Sequence, residues 1–199
     1  MNMTLPRSRA TAAVFACLGL SLSLSACSSP TKQAAPTTTA PAVVESVAAA
    51  PEIILDSNLP IDAMPEIPEG RNGFVECPYL DSQWLANTNG QRMTGQGIDT
   101  RFDTPACVFW SYPEEPQATV IVRHMPTEQA AIDVVDWAAP IDTTEPVDDG
   151  DWQGGRIGNH EGALYAVQKG TVAVVIFTNQ DQSLKAELIG KEVIKNLSL

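Results

Sequence analysis

The stretch TVAVVIFT, residues Thr171–Thr178, decides the fold because it is apolar at every position between its two threonines. In an extended strand, successive side chains point to opposite faces of the sheet. Both alternating sets are apolar here: Val172, Val174 and Ile176 on one side, and Ala173, Val175 and Phe177 on the other. The stretch is therefore predicted to be a strand buried on both faces, and other elements must cover each face.

Further strands are predicted on both sides of a hairpin pattern. The segment GALYAVQ precedes the central stretch and is joined to it by Lys169-Gly170, a pair that favours a tight turn. Farther upstream, ACVFWSY and ATVIVRHM read as two strands connected through PEEPQ. The sheet is therefore expected to be mainly antiparallel.

Three helices are predicted from capping residues and apolar spacing. Asp81 is a suitable N-cap for a helix that stops at Asn89-Gly90, and Thr127 is a suitable N-cap for one that Pro140 terminates. A third begins near Asp181, with an apolar stripe made of Ala186, Ile189, Gly190, Val193 and Leu197. The Gly-rich stretches TGQGIDTRFDTP and PIDTTEPVDDGDWQGG are interpreted as loops. The order of elements predicts an α+β fold, an α-β-α sandwich with helices on both faces of the sheet.

The N-terminal residues 1–26 have the plan of an export signal. Arg7 and Arg9 precede an apolar run that is too short and too interrupted for a stable membrane span. The run ends in Leu24-Ser25-Ala26-Cys27, which resembles the processing site of bacterial lipoproteins. By that resemblance Cys27 becomes the first residue of the mature chain and carries diacylglyceryl and palmitate-type acyl groups. The alternative is an ordinary cleaved signal peptide with a coincidental cysteine.

Residues 27–72 are predicted to be a tether and residues 73–199 a globular α+β domain. The first part of the tether is rich in Ala, Thr and Pro, a composition that cannot bury a core. Its second part, IILDSNLPIDAMPEIPEG, has apolar residues between prolines, so it either docks along the domain or a partner or stays a disordered approach segment.

The charge of the chain excludes one class of partner. Its formal net charge is −12 at pH 7, and no cluster of Lys and Arg is present. Proteins that bind nucleic acids depend on such clusters to neutralise phosphates. No nucleic-acid partner is expected, and the lipid anchor, rather than charge, would hold this acidic protein at a membrane.

The cysteines leave one pair for the folded domain. Cys17 lies in the predicted signal peptide and Cys27 is the predicted lipid site, so Cys77 and Cys107 are the pair left in an oxidising compartment. A structural disulfide between them would close a loop of about 30 residues. A redox-active or metal-binding pair is the alternative, although such cysteines normally lie two or three residues apart.

No signature of catalysis or of a cofactor is evident. The two histidines are His124, at the end of a predicted strand, and His160, in a turn, and neither has a second ligand at metal-binding spacing. Nucleophile elbows, phosphate loops and dinucleotide fingerprints are absent from the sequence. A non-enzymatic protein without cofactor or metal is predicted; the alternative is a hydrolase of envelope material that uses His124 or His160.

The turn EPVDDGDWQGG is the candidate ligand site. It places Asp148, Asp149 and Asp151 beside Trp152, although the acids lack the alternating spacing of a calcium loop, so a solvated acidic turn is the alternative. Trp152 is interpreted as the most exposed aromatic residue and as suited to a sugar or a cationic ligand. The competing interpretation folds Trp152 back onto the core. Three other tryptophans are assigned to the core: Trp84, Trp110 and Trp137.

Several phrases of this chain resemble an actinobacterial family of envelope lipoproteins, domain of unknown function 2020. They include CPYLD, VDWAAPIDTTEP and LYAVQKGTVAVVIFTNQDQSLKAELIGKEVIKNL, and the resemblance covers about Cys77 to Leu199. It implies a secreted, anchored domain with the pair Cys77 and Cys107. A more distant resemblance, to mycobacterial lipoproteins, implies a fold like the extrinsic P subunit of photosystem II. Neither resemblance supplies catalytic residues.

Together these observations predict a lipid-anchored protein at the extracytoplasmic face of the cell membrane. Its role would be binding or scaffolding in the envelope, with a protein, a glycan or a glycolipid as partner.

Overall fold

The computed structural model describes residues 58–199, which contain three α-helices and seven β-strands. The helices are α1 (Ser82–Asn89), α2 (Glu128–Ala138) and α3 (Ser183–Leu197). The strands are β1 (Gly95–Asp99), β2 (Ala106–Trp110), β3 (Pro116–His124), β4 (Glu145–Asp149), β5 (Trp152–Asn159), β6 (Gly162–Lys169) and β7 (Val172–Thr178). Within this range no helix combines the length and the apolar character needed to cross a lipid bilayer.

The strands form one antiparallel sheet in the order β1-β2-β3-β7-β6-β5-β4. The central strand is β7, which pairs with β3 on one side and β6 on the other. Its residues 173–176 are all fully buried. Lys169 pairs with Val172 across a two-residue turn in which Gly170 has a φ of +55°. The predicted doubly buried strand and its tight hairpin are therefore confirmed.

Helices cover both faces of the sheet, so the predicted α+β fold is confirmed. On one face, α1 and α3 enclose a core of alternate strand residues that includes Phe109, Val120, Tyr165, Val174 and Ile176. On the other face, α2 covers the residues between them, including Ala106, Ile121, Leu164, Ala166 and Val175. Alternate residues of the same strands thus belong to two separate hydrophobic cores, one on each face of the sheet.

The helix boundaries follow their capping residues. The Asp81 carboxylate accepts a hydrogen bond from the backbone N–H of Trp84, and α1 ends at Gly90 in the left-handed conformation, with φ +71°. The Thr127 hydroxyl accepts one from the N–H of Ala130 at the start of α2. The predicted stripe of α3 faces the core through Ala186, Ile189, Gly190 and Val193. All three predicted helices are confirmed.

The Gly-rich stretch predicted to be a loop contains an edge strand, so that prediction was wrong. Gly95 and Gly97 lie in β1, and the chain segment before α1 crosses directly over them. A Cβ atom on Gly95 would overlap the carbonyl of Arg71, and one on Gly97 would come within 2.5 Å of the side chain of Ile67. The glycines are therefore required by close backbone approach, a role that glycine in a strand often has.

The second predicted loop is also structured. Its acidic part forms β4, an edge strand, and its Trp-Gly part begins β5. Charged residues and Pro146 give β4 the composition of a protected edge, because such residues discourage pairing with another chain. This composition is also why the pattern favoured a turn.

Residues 59–72 dock along the domain, which is one of the alternatives left open for the second part of the tether. Arg123 is buried on β3 and donates hydrogen bonds to the carbonyls of Leu59, Pro60 and Ile61, at 3.0, 2.9 and 3.4 Å. Its guanidinium carbon also lies 5.6 Å from the ring centre of Phe102. The packed part of the chain therefore begins before the predicted boundary at residue 73.

Asp99 holds the next part of this segment. Its carboxylate accepts a hydrogen bond from the backbone N–H of Glu66 at 2.7 Å. The same carboxylate forms an ion pair with the guanidinium of Arg101 at 2.6 Å. Desolvation acts to raise the pKa of Asp99, but the bonds from Arg101 and Glu66 outweigh it and lower that pKa. The ionised carboxylate is therefore the form that fastens the segment.

Cys77 and Cys107 form a disulfide, with an S–S distance of 2.04 Å. Cys107 is fully buried on β2, in the core beneath α1 and α3. The predicted disulfide is thus present, and it ties the chain just before α1 to β2, the strand next to the β1 edge of the sheet. The predicted signal peptide, residues 1–26, and the predicted lipid site at Cys27 lie outside the described residues, as does the tether up to residue 57.

Candidate functional site

A groove of about 230 Å³ lies on the α2 side of the sheet, between the helix and strands β4 to β6. Its walls are mainly apolar. The apolar side chains come from the helix, from the turn after it and from the edge strand: Ile132, Val135, Ala139, Ile141 and Pro146. The polar side chains at the groove are Asp136, Thr144, Gln153 and Gln168. Apolar walls with a few converging polar groups are typical of sites for small molecules.

The end of α2 and the turn after it shape one wall of the groove. Pro140 follows the helix, and the Thr144 hydroxyl donates to the carbonyl of Pro140 at 2.9 Å, which fixes the turn. Ile141 lies in this turn with 85% of its surface exposed, whereas Val135 and Ala139 are buried against the sheet. The turn thus holds an exposed aliphatic residue at the rim of an otherwise packed interface.

The floor of the groove contains a buried polar group without a partner. Gln168 on β6 is only 9% exposed, and its Oε1 atom accepts no hydrogen bond from the described residues. Gln168 pairs with Gln153 on β5, which is exposed. A buried acceptor that lacks a donor costs about 1–3 kcal/mol. Several described side chains carry such an atom, and Gln168 is the one among them that lines the groove.

The charge around the groove is negative. Asp136 reaches it from α2, and its lining contains neither Lys nor Arg. Asp148 pairs with Gln153, so it lies on the same face of the sheet one strand farther out. A ligand in this groove therefore meets carboxylates without a competing cation in the lining.

The predicted acidic ligand site is divided by the strand geometry. Asp148 lies on the α2 face, but Asp149 lies on the opposite face, where its carboxylate is 2.8 Å from Nζ of Lys191. Asp151 follows Gly150 in the hairpin turn and lies 4.0 Å from Lys169. Within residues 58–199 no group of three or more His, Cys, Asp or Glu residues could hold a metal ion. The acids of this turn are therefore not gathered as one set of ligands.

Trp152 is buried, with 9% of its surface exposed, so the interpretation of it as the most exposed aromatic residue was wrong. It is the first residue of β5 and points into the core beneath α1 and α3, which confirms the alternative of core packing. Lys169 lies over the ring at 5.8 Å from its centre. Of the tryptophans assigned to the core, Trp110 is buried, and Trp84 and Trp137 are partly buried.

A chain of ion pairs fastens the outer strands to α3 on the face away from the groove. Glu187 contacts Arg156 of β5 at 2.5 Å and Lys191 at 2.9 Å. The hydrogen bond from Lys191, followed by that from Arg156, lowers the pKa of Glu187, although desolvation opposes the shift. Burial raises the pKa of the neighbouring Tyr165 to about 12. These ion pairs join α3 to β4 and β5 on the face of the sheet opposite the groove.

The two histidines lie at opposite ends of the sheet. His124 pairs with Val172 at the start of β7, and its Nε2 atom is 3.0 Å from the hydroxyl of Thr104. His160 lies in the turn between β5 and β6, which is beside Thr178 at the end of β7. The structure does not bring the histidines together, and a hydrolase that uses one of them stays a prediction.

Two larger surface depressions have a different character. One of about 620 Å³ lies at the start of α3, beside Gly158 of β5. Another of about 520 Å³ lies beside α1, where Gln91 bonds to Asn179 at 2.8 Å and to Ser111. Both are open, and most of their lining residues are polar. The groove beside α2 combines apolar walls with an unpartnered acceptor, and we therefore treat it as the candidate site.

Sequence reasoning missed most of this groove. Gln168 stands inside the otherwise apolar segment GALYAVQ, and a polar residue on an inward-facing strand position was a signal that could have been read. Asp136 and Ile141 gave no comparable signal, because single charged or apolar residues are common on surfaces. Of the predicted ligand residues, only Asp148 lies near the groove.

Comparison with known proteins gives one result at the level of the family. Residues 59–199 match the family model described as Domain of unknown function (DUF2020). The match begins at Leu59, the first residue held by Arg123, so it includes the docked segment. No curated protein matches the chain.

Proposed function

We propose that this chain, which belongs to the family described as domain of unknown function DUF2020, is a membrane-anchored binding module of the cell envelope. The observation that carries the proposal is the groove beside α2, with its apolar walls and the unpartnered acceptor of Gln168. If the domain had only a structural role, an apolar residue in place of Gln168 would be expected to stabilise it, because a buried acceptor without a hydrogen bond is costly. Proteins commonly keep such destabilising residues at functional sites.

The proposed location is supported by two independent features of the chain. Cys27 follows an apolar run and the residues Leu24-Ser25-Ala26, in the pattern of lipoprotein processing. The disulfide between Cys77 and Cys107 suits an oxidising compartment outside the cytoplasm, because cytoplasmic thiols are kept reduced. We therefore place the module on the extracytoplasmic face of an actinobacterial membrane, held by the lipid on Cys27.

The size of the groove limits what it can hold. A volume of about 230 Å³ accommodates roughly ten non-hydrogen atoms at the packing density of protein interiors. A small molecule, or one terminal group of a larger envelope glycan or glycolipid, fits this volume.

Filling the groove tests the proposal. Gln153 is exposed at the open side of the groove on β5, and tryptophan is well tolerated in strands, so Gln153→Trp is expected to occupy the space without disturbing the core. Gln153→Ser is the matched control, because it changes the same position without filling the space. Binding would be measured by ligand-observed NMR with a panel of small aromatic and alkyl compounds. We expect some of these compounds to bind wild type and Gln153→Ser, and to bind Gln153→Trp at least tenfold more weakly. A panel without binders, or equal binding by all three proteins, would contradict the proposal.

One contact of His124 supports the alternative function, a hydrolase, and allows a specific test of it. The Thr104 hydroxyl and the His124 imidazole are 3.0 Å apart, which is within the reach of a general base. If the protein hydrolysed envelope esters through this pair, Thr104→Val and His124→Gln would each abolish turnover, while His160→Gln would not. Equal rates for wild type and all three variants would remove the alternative.

A further inference from the structure

We propose that the ligand of the groove is a small amphipathic amine, that is, a compound with an apolar body and a protonated nitrogen; this inference rests on the proposed use of the groove as a binding site. A positively charged nitrogen supplies N–H donors and a positive charge, and it accepts no hydrogen bonds. The groove offers an acceptor, nearby carboxylates and apolar walls, so the chemistry of such a ligand is complementary to it.

The first requirement comes from Gln168. Its side chain is nine-tenths buried at the floor of the groove, and its Oε1 atom has no donor among the described residues. The acceptor lies within an apolar wall, where a new hydrogen bond meets little competition from water. A ligand that fills the groove beside Gln168 can supply this donor.

The second requirement comes from the charges at the rim. Asp136 stands on α2 at one side of the groove, and Asp148 stands on β4 beside Gln153, on the same face of the sheet. The nearby cations Lys169, Lys191 and Arg156 are engaged on the other face with Asp151, Asp149 and Glu187. These two carboxylates would repel an anionic ligand and attract a cationic one.

The third requirement is an apolar body of limited size. Ile132, Val135 and Ala139 line the helix side, and Ile141 and Pro146 line the rim. A phenyl or short alkyl group can fill this space, and the total of roughly ten non-hydrogen atoms leaves room for only one charged head. Binding should therefore need both parts of the molecule at once.

Three matched probes separate the contributions of charge, donor and apolar body. We would titrate 2-phenylethylammonium, 2-phenylethanol and 3-phenylpropanoate into the full-length ¹⁵N-labelled protein and follow the amide signals of Gln168, Ile132 and Ile141. The ammonium compound is expected to shift these signals with at least tenfold higher affinity than the alcohol. The carboxylate is expected to bind more weakly than the alcohol.

Two substitutions then identify the groups responsible. Asp136→Asn is expected to reduce affinity for the ammonium compound several-fold and to leave the alcohol unchanged; Asp133→Asn, on the same helix but outside the groove lining, should change either affinity less than twofold. Gln168→Leu is expected to weaken both compounds at least fivefold without lowering the melting temperature, since it removes an unpartnered buried acceptor.

The outcomes distinguish a failure of the amine as ligand from a failure of the groove as a binding site. If the carboxylate binds the groove as tightly as the ammonium compound, or if Asp136→Asn and Asp133→Asn behave alike, the amine is the wrong ligand class, while the groove stays a binding site. If no probe shifts the signals of the groove, the use of the groove itself is overturned.

Discussion

Replacing Arg123 by leucine is expected to lower the free energy of unfolding by about 2–4 kcal/mol, the largest effect of any single substitution considered for this fold. Arg123 is 1% exposed, and its guanidinium donates to the carbonyls of Leu59, Pro60 and Ile61. Leucine cannot supply these donors. The Pro60 carbonyl keeps its hydrogen bond from the N–H of Ala63, whereas the Leu59 and Ile61 carbonyls lose the guanidinium, and the docked segment loses its main attachment. Urea unfolding followed by tryptophan fluorescence measures the change.

Two comparisons make this result specific. Arg92→Leu makes the same chemical change at an exposed position and should alter stability by no more than about 0.5 kcal/mol. Arg123→Lys keeps the charge but lacks the planar fork of donors, so we expect an intermediate loss of stability and faster proteolytic cleavage within residues 59–72. If Arg123→Leu and Arg92→Leu were equally stable, the docked segment would contribute nothing to the fold.

Removing the disulfide is expected to be at least as costly. The bond joins cysteines 30 residues apart in sequence, and closing a loop of that length stabilises a fold by about 3–4 kcal/mol in the chain-entropy model. The double variant Cys77→Ala/Cys107→Ala should therefore melt roughly 10 °C lower than wild type. Alanine is preferred to serine, because Cys107 is fully buried and a hydroxyl there would need a partner.

The oxidised and reduced proteins provide the control. Wild type treated with dithiothreitol should melt close to the double variant, and the reductant should leave the melting temperature of the double variant unchanged. A double variant that unfolds within about 1 kcal/mol of oxidised wild type would show that the disulfide is not a major support of the fold.

The parts of the fold that could be predicted are those with strong local signals. Residues 171–178 are apolar on both alternating faces, and the structure places them at the centre of the sheet with all residues from 173 to 176 buried. Asp81 and Thr127 cap their helices because their side chains bond to backbone N–H groups three residues later. In these cases propensity, pattern and packing agree, and local reasoning therefore succeeds.

The elements that could not be predicted depend on contacts distant in sequence. The glycines of β1 resemble a loop until Arg71 and Ile67 are seen to lie across them. The acidic residues of β4 resemble a turn until their pairing with β5 is known. β4 lacks the apolar alternation of a central strand because it lies at the edge of the sheet with most of its residues exposed. The docking of residues 59–72 likewise depends on Arg123, more than 60 residues away.

The candidate site was predicted only in its charge. The sequence pointed to Asp148 and to a sugar or a cationic ligand, but it also pointed to Trp152, which the structure places in the opposite core. Adjacent residues of a strand point to opposite faces of the sheet. Asp148 and Asp149 are neighbours in sequence but therefore lie in different surroundings. The groove depends on Gln168, Ile141 and the end of α2, which only the tertiary structure brings together.

The two faces of the sheet thus differ in a way that suits a binding module. The α3 side is fastened by ion pairs among Arg156, Glu187, Lys191 and Asp149. The α2 side keeps a gap and an unpartnered acceptor next to an edge strand. A rigid face opposite an open groove is an arrangement that can hold a ligand with little rearrangement of the sheet.

The proposal of an anchored module depends first on the lipid at Cys27, and metabolic labelling with an alkyne analogue of palmitate in an actinobacterial host tests it most directly. Wild type, Cys27→Ser and Cys17→Ser would be compared; the last is the matched control, because Cys17 lies in the part of the signal peptide that is expected to be removed. We predict label in wild type and in Cys17→Ser, with both proteins in the membrane fraction, and none in Cys27→Ser. A Cys27→Ser protein that is labelled and retained at the membrane like wild type would contradict the account.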